Sequence, residues 1–109
     1  MEYTAYRIDP SRQEITPIKI NGSLDELQRI MGTSQIAQAE VPHIRDGWIL
    51  YAANIQAGAR PFRLFTDPPI PPRTFYGTAL LVSKYPPNGS ITNIMHPIEY
   101  CKPCVHWLY

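Results

Sequence analysis

NGSLDELQRIMG (Asn21–Gly32) holds the strongest local signal in the chain, and the rest is read outward from it. Ser23 is a favoured helix N-cap, and Glu26 stands three residues later, where a capping box places its carboxylate. Asp25 and Glu26 set negative charge at the positive end of the helix dipole. Leu24, Leu27, Ile30 and Met31 recur at helical spacing as one apolar stripe, and Gly32 can close the helix in the left-handed conformation. The stretch predicts a short amphipathic helix, one face of which must be covered.

Upstream, the apolar period changes to two. In Tyr3 to Asp9, Thr4, Tyr6 and Ile8 alternate with Arg7, and Asp9-Pro10-Ser11 is a turn signal. Ile15 to Ile20 alternates again, with Thr16, Ile18 and Ile20 opposite Pro17 and Lys19. Two such runs around a short polar connection predict an antiparallel hairpin, and Pro17, which has no N–H, puts the second strand at an edge or leaves that position unpaired. Downstream, Ile36 to Val41 alternates, Asp46-Gly47 offers a turn, and Trp48 to Ala53 is apolar on both faces, as a central strand would be. Phe75 to Val82 is the last strand of the body, with Gly77 where another group can approach closely. The order β-β-α-β-β-β predicts an α+β fold: a mostly antiparallel sheet of about five strands with one helix on a face. One domain spans 1–109, with residues 3–83 as its body. The irregular C-terminal extension, 84–109, is too apolar to stand in water and must pack on that body.

At 109 residues the chain can bury roughly two-thirds of its unfolded surface without staples. A formal net charge of +1 supplies no general field for nucleic acid or acidic lipid, so any such contact needs a local patch. The N-terminus MEYTAYRID lacks the basic and apolar regions of a signal peptide, and no run approaches the length of a membrane span, which points to the cytoplasm. Prolines number 12, about twice average usage, and most fall in the second half.

Many of them lie in or beside NIQAGARPFRLFTDPPIPPRT (Asn54–Thr74), a segment longer than ordinary loops and stiffened by PPIPP. A short extra strand over Pro61 to Phe65 is one way for its phenylalanines to pack. Arg60, Arg63 and Arg73 interleave here with Phe62, Phe65, Phe75 and Tyr76. Guanidinium forks take phosphate and aromatic faces stack on bases, while the same residue types dominate protein–protein hot spots. Arg60, Phe62, Arg63, Phe65, Arg73, Tyr76 and Trp107 are therefore the candidate partner- or nucleotide-binding residues. A protein partner is the first expectation, a small nucleotide the second, and a solvated loop with its phenylalanines in the core the plainest.

The tail EYCKPCVHWLY (Glu99–Tyr109) holds both cysteines. Cys101 and Cys104 have the spacing of half a zinc site, and His96 and His106 are the nearest further ligands. All four crowd one Pro-interrupted segment, whereas zinc sites clamp two separated ligand pairs, so no metal or other cofactor is expected. Thioredoxin-like chemistry needs a helix after the first cysteine that the remaining residues cannot supply. The sequence contains no nucleophile elbow and no HExxH pair, His43 sits alone in a polar loop, and catalysis is not expected.

The series Gly22-Ser23-Leu24, Leu27-Gln28 and Gly32, then Ile36 to Val41, Gly47 to Tyr51, and Tyr76-Gly77 to Val82, resembles a small family of uncharacterised domains common in bacteriophage and plasmid genomes. The likeness covers about residues 3 to 83. It implies a mobile-element origin, and with it a non-catalytic accessory protein that inhibits a host defence protein in the bacterial cytoplasm by occluding its surface. The alternatives are a sponge that sequesters a nucleotide signal with the loop arginines, and a zinc-binding protein associated with nucleic acid. An edge strand and an apolar tail keep a homodimer among the options.

Overall fold

The computed structural model of the protein describes residues 2–32, 36–40, 48–53, 60–64, 73–85, 90–94 and 97–108. The two alternating runs form strands β1 (Tyr3–Asp9) and β2 (Glu14–Ile20), antiparallel in register from Tyr3↔Ile20 to Asp9↔Glu14. The Asp9 carboxylate turns the chain between them by accepting a hydrogen bond from the Ser11 N–H at 3.1 Å, the local bond that favours Asp in turns.

Helix α1 (Leu24–Met31) follows β2 directly. Ser23 Oγ accepts from the Glu26 N–H at 3.2 Å. The Glu26 carboxylate reaches past the cap residue to accept from Asn21 N–H at 2.6 Å and Gly22 N–H at 3.4 Å, while Asn21 Oδ1 takes the Ser23 N–H at 2.8 Å. The capping box thus also fastens the helix to the end of β2. Gly32 ends it with φ 71°, its N–H donating to the Gln28 carbonyl at 2.9 Å. Of the expected stripe, Leu27 and Met31 are buried and Ile30 packs against the cluster that holds Leu27, but Leu24 is 63% exposed.

The remaining elements are β3 (Ile36–Glu40), β4 (Trp48–Ala53), β5 (Pro61–Leu64), β6 (Arg73–Tyr76), β7 (Ala79–Tyr85), β8 (Ser90–Thr92), α2 (Ile98–Cys101), a 3₁₀ turn (Lys102–Cys104) and β9 (Val105–Trp107). They form a six-stranded sheet, order β2-β1-β7-β4-β3 with β8 also on β7, and a three-stranded sheet, order β6-β5-β9. Every described pairing is antiparallel. The α+β class read from the sequence is the class observed, and β2 lies at the sheet edge where Pro17 placed it. The run read as one strand over Phe75 to Val82 is divided: Gly77, at φ 79°, bends the chain, and its two halves join different sheets. The C-terminal extension contributes β8, α2 and β9 rather than remaining irregular throughout.

Strand β7 organises the large sheet, with β1 on one side and β4 on the other. Where β1 diverges, β8 takes its place along β7. Asn93 Oδ1 then accepts from Thr4 N–H at 2.8 Å and Ile94 N–H donates to the Thr4 carbonyl at 3.1 Å, stitching the extension to the start of β1. Alternation along β7 sends Leu80 and Val82 to one face and Ala79 and Leu81 to the other. On the first face, α1 covers Ala5, Ile20, Leu80 and Val82. On the second, the three-stranded sheet and α2 cover Tyr6, Ile8, Leu50, Ala52 and Leu81. The layers stack as helix, large sheet, small sheet. A radius of gyration of 12.8 Å fits one compact body, about 13 Å being typical of this length.

Candidate binding face

The small sheet is built from period-two side chains whose inner members are apolar. In Pro61–Leu64, Phe62 and Leu64 are buried while Arg63 is exposed. In Arg73–Tyr76, Phe75 packs inward, and Thr74 and Tyr76 face solvent. In Val105–Trp107, Val105 and Trp107 turn inward and His106 outward. The inner side is closed by an aromatic cluster: Phe62 stacks on Phe75 with ring centroids 5.6 Å apart and meets Trp107 edge-on at 6.4 Å. Such pairs contribute about 1 kcal/mol each beyond the area they bury. Phe62 has no exposed surface, so its part in any recognition is to hold the strand that carries Arg63.

Outside, register aligns three exposed side chains in one row. Arg63 on the central strand pairs with Thr74 of β6 and His106 of β9. The adjoining row pairs Pro61 with Tyr76, which is 48% exposed. Arg60 stands exposed at the end of β5, and its carbonyl accepts from the Gly77 N–H at 2.9 Å, fixing the bend where β6 leaves the small sheet. Of the residues singled out in the sequence, Arg60, Arg63 and Tyr76 are thus gathered near one exposed face, and Trp107 and Phe62 lie beneath it. Strand pairing sets Arg73 opposite Leu64, but its side chain lies outside the described part, as do Phe65, the PPIPP segment, His43, the Asp46-Gly47 turn and His96. Thr74 and His106 were not read as members of this face. The alternation of R-T-F-Y and V-H-W was the available signal.

The cysteines belong to the interior. Cys101, the last residue of α2, is fully buried against the second face of the large sheet, and Cys104 is half-buried, its Sγ donating to the Tyr100 carbonyl at 3.5 Å. Neither cysteine is in a disulfide. Burial, and secondarily the neighbouring Cys104, push the Cys101 thiol from 9.0 up to about 12. The same environment raises Tyr6, first through desolvation and then through Cys101 and Glu99. A thiol so disposed resists becoming the thiolate that a metal or a redox partner requires. His106 faces outward from β9, away from the layer that holds Cys101, and no group of three metal-ligating side chains occurs among the described residues.

No helix among the described residues is long and apolar enough to cross a membrane. No family model, curated protein or solved structure matches the chain.

Proposed function

We propose that this chain is a non-catalytic accessory protein of a bacteriophage or other mobile element, which inhibits a host defence protein by docking on it and occluding its surface. The contact is the outer face of the three-stranded sheet. One observation carries the reading: Arg63, Thr74, Tyr76 and His106 stand exposed together on a sheet whose opposite side is locked by Phe62, Phe75 and Trp107. Tyrosine and arginine on a pre-ordered support are the side chains that dominate protein interfaces, because little freedom is lost when they dock. The mobile-element origin rests on the motif resemblance in residues 3–83.

An exposed sheet face favours a protein partner over the nucleotide sponge, since small ligands are held in concave sites that enclose most of their surface. Dimerisation by strand addition at β2 is disfavoured by Pro17, which blunts that edge. The test is retrieval of a host protein from bacterial lysate by the purified chain, repeated with Arg63→Glu and with Arg29→Glu on the exposed side of α1 as control. A specific host protein should be retained by the wild type and by the α1 variant, lost with Arg63→Glu, and inhibited on binding. Equal retention by all three removes the face from the mechanism. A thermal shift with cyclic dinucleotides that vanishes in Arg63→Glu would establish the sponge instead.

A further inference from the structure

We infer that the outer face of the three-stranded sheet is a docking strip for an acidic protein segment, an extended stretch presenting Asp or Glu side chains. This deepens the docking reading above and rests on it. The three strands read PFRL, RTFY and VHW, and contain no carboxylate. An opposite charge directly across an antiparallel pair stabilises an exposed cation, and a like charge there is unfavourable. Here the cross-strand neighbours of Arg63 are Thr74 and His106. Among the described residues Arg63 takes part in no ion pair; those present are Arg12–Glu14 and Arg29–Glu26, elsewhere on the molecule. The chain's net charge is only +1, so this positive strip is a local arrangement rather than a sample of a basic surface.

Geometry selects the class of partner. Adjacent strands lie about 4.8 Å apart, so the row Thr74–Arg63–His106 spans about 10 Å with the guanidinium in the middle. A carboxylate over Arg63 can accept two parallel N–H bonds, and the His106 imidazole, exposed beside it, lies within the same row. The Thr74 hydroxyl extends the donor row on the other side. Along the strand direction, the Pro61–Tyr76 row offers an apolar and aromatic step. An extended segment that turns a carboxylate and then, two residues on, a small apolar group toward this face matches the succession, because its own side chains repeat every second residue on one face. A single phosphate would engage the centre of the row and leave both ends unused.

The experiment uses the full chain and a fluorescent synthetic peptide alternating Glu and Thr, read by anisotropy, with a Lys/Thr peptide as the opposite-charge probe. The acidic peptide should bind, weaken by about tenfold with Arg63→Glu, the loss expected of one charge-assisted bidentate contact, and weaken by several-fold between low and physiological salt. His106→Gln should weaken it less than Arg63→Glu, and Arg29→Glu should leave it unchanged. Circular dichroism checks that each variant remains folded. Equal binding of the Lys/Thr peptide, or no effect of Arg63→Glu, overturns the inference. Displacement of the acidic peptide by inorganic phosphate well below salt-screening concentration also overturns it, in favour of a small-oxyanion site. Capture of a host protein that depends on Arg63, in a protein that ignores the acidic peptide, keeps the docking face and refutes its acidic partner. Capture that is indifferent to Arg63 removes the face itself.

Discussion

The two faces of the large sheet are covered in opposite ways. The first is sealed by α1, which joins β2 through three residues and carries its own start, stop and apolar stripe. The second is sealed by pieces collected from far along the chain: β5, β6, α2 and β9, joined where Phe62 pairs with both Phe75 and Trp107. A local cover can begin to form by itself, whereas a non-local cover must close long loops before any contact rewards it. The proposed binding face is therefore mounted on the part of the molecule that depends most on the rest being folded.

The contrast breaks most sharply at Phe62. It is fully buried at the centre of the second cover, with partners on both neighbouring strands. Phe62→Ala should destabilise the protein by about 4 kcal/mol, the cost of a large buried side chain plus the cavity it leaves. In urea unfolding this should exceed the cost of Leu27→Ala under α1, about 3 kcal/mol, because Leu27 loses fewer atoms and lies under a single short helix. A Leu27 variant that proves the weaker of the two would make the helix, not the small sheet, the keystone.

A smaller effect, confined to the second face, comes from Cys101. Its folded thiol is raised from 9.0 to about 12. The contribution to stability is complete below the unfolded value and is lost as pH climbs from about 9 toward 12, because the unfolded chain ionises first. Cys101→Ser should cost about 2 kcal/mol at neutral pH by burying a hydroxyl in an apolar site. Cys101→Ala should flatten the alkaline decline that Cys104→Ala leaves in place. Urea midpoints measured at neutral pH and at about pH 10 compare the three proteins, and an equal alkaline decline in all of them would place the titrating group elsewhere, Tyr6 being the other raised acid on this face.

The same contrast explains what the sequence disclosed. The first cover was legible but for one residue because capping, dipole and C-cap glycine act within a few residues of one another, and Pro17 marked the edge strand by the donor it lacks. Leu24 escaped, since its exposure depends on how the helix lies against the sheet and not on its spacing. On the second face, Phe75 to Val82 read as one strand because apolar runs do not record a change of sheet, and Gly77 was the sole punctuation. The pairing of Phe62 with Trp107 has no local signature, being made between segments remote in sequence. The site was half legible for the same reason. Composition drew Phe62 and Arg63 into one binding set, although strict alternation in P-F-R-L separates a core residue from a surface one. Alternation in V-H-W likewise assigns His106 to the outside rather than to the cysteines.

The smallest change gives the finest comparison. Ser23 is exposed, and its Oγ satisfies a single helix N–H. Ser23→Ala should cost about 1 kcal/mol, the usual value of an N-cap. Its distribution matters more than its size. If the covers open as separate units, native-state hydrogen exchange should accelerate at the amides of α1 while those of β5 and β9 keep their protection. The reason is physical: α1 touches only the first face, and the rigid strands of the large sheet lie between it and the small sheet. Matching acceleration at Phe62 and Arg63 would mean that the faces open together, so that the proposed docking surface depends on the helix cap at the far side of the molecule. Protection retained there would leave Arg63 on a support that persists through local loss of α1, as a pre-ordered contact requires.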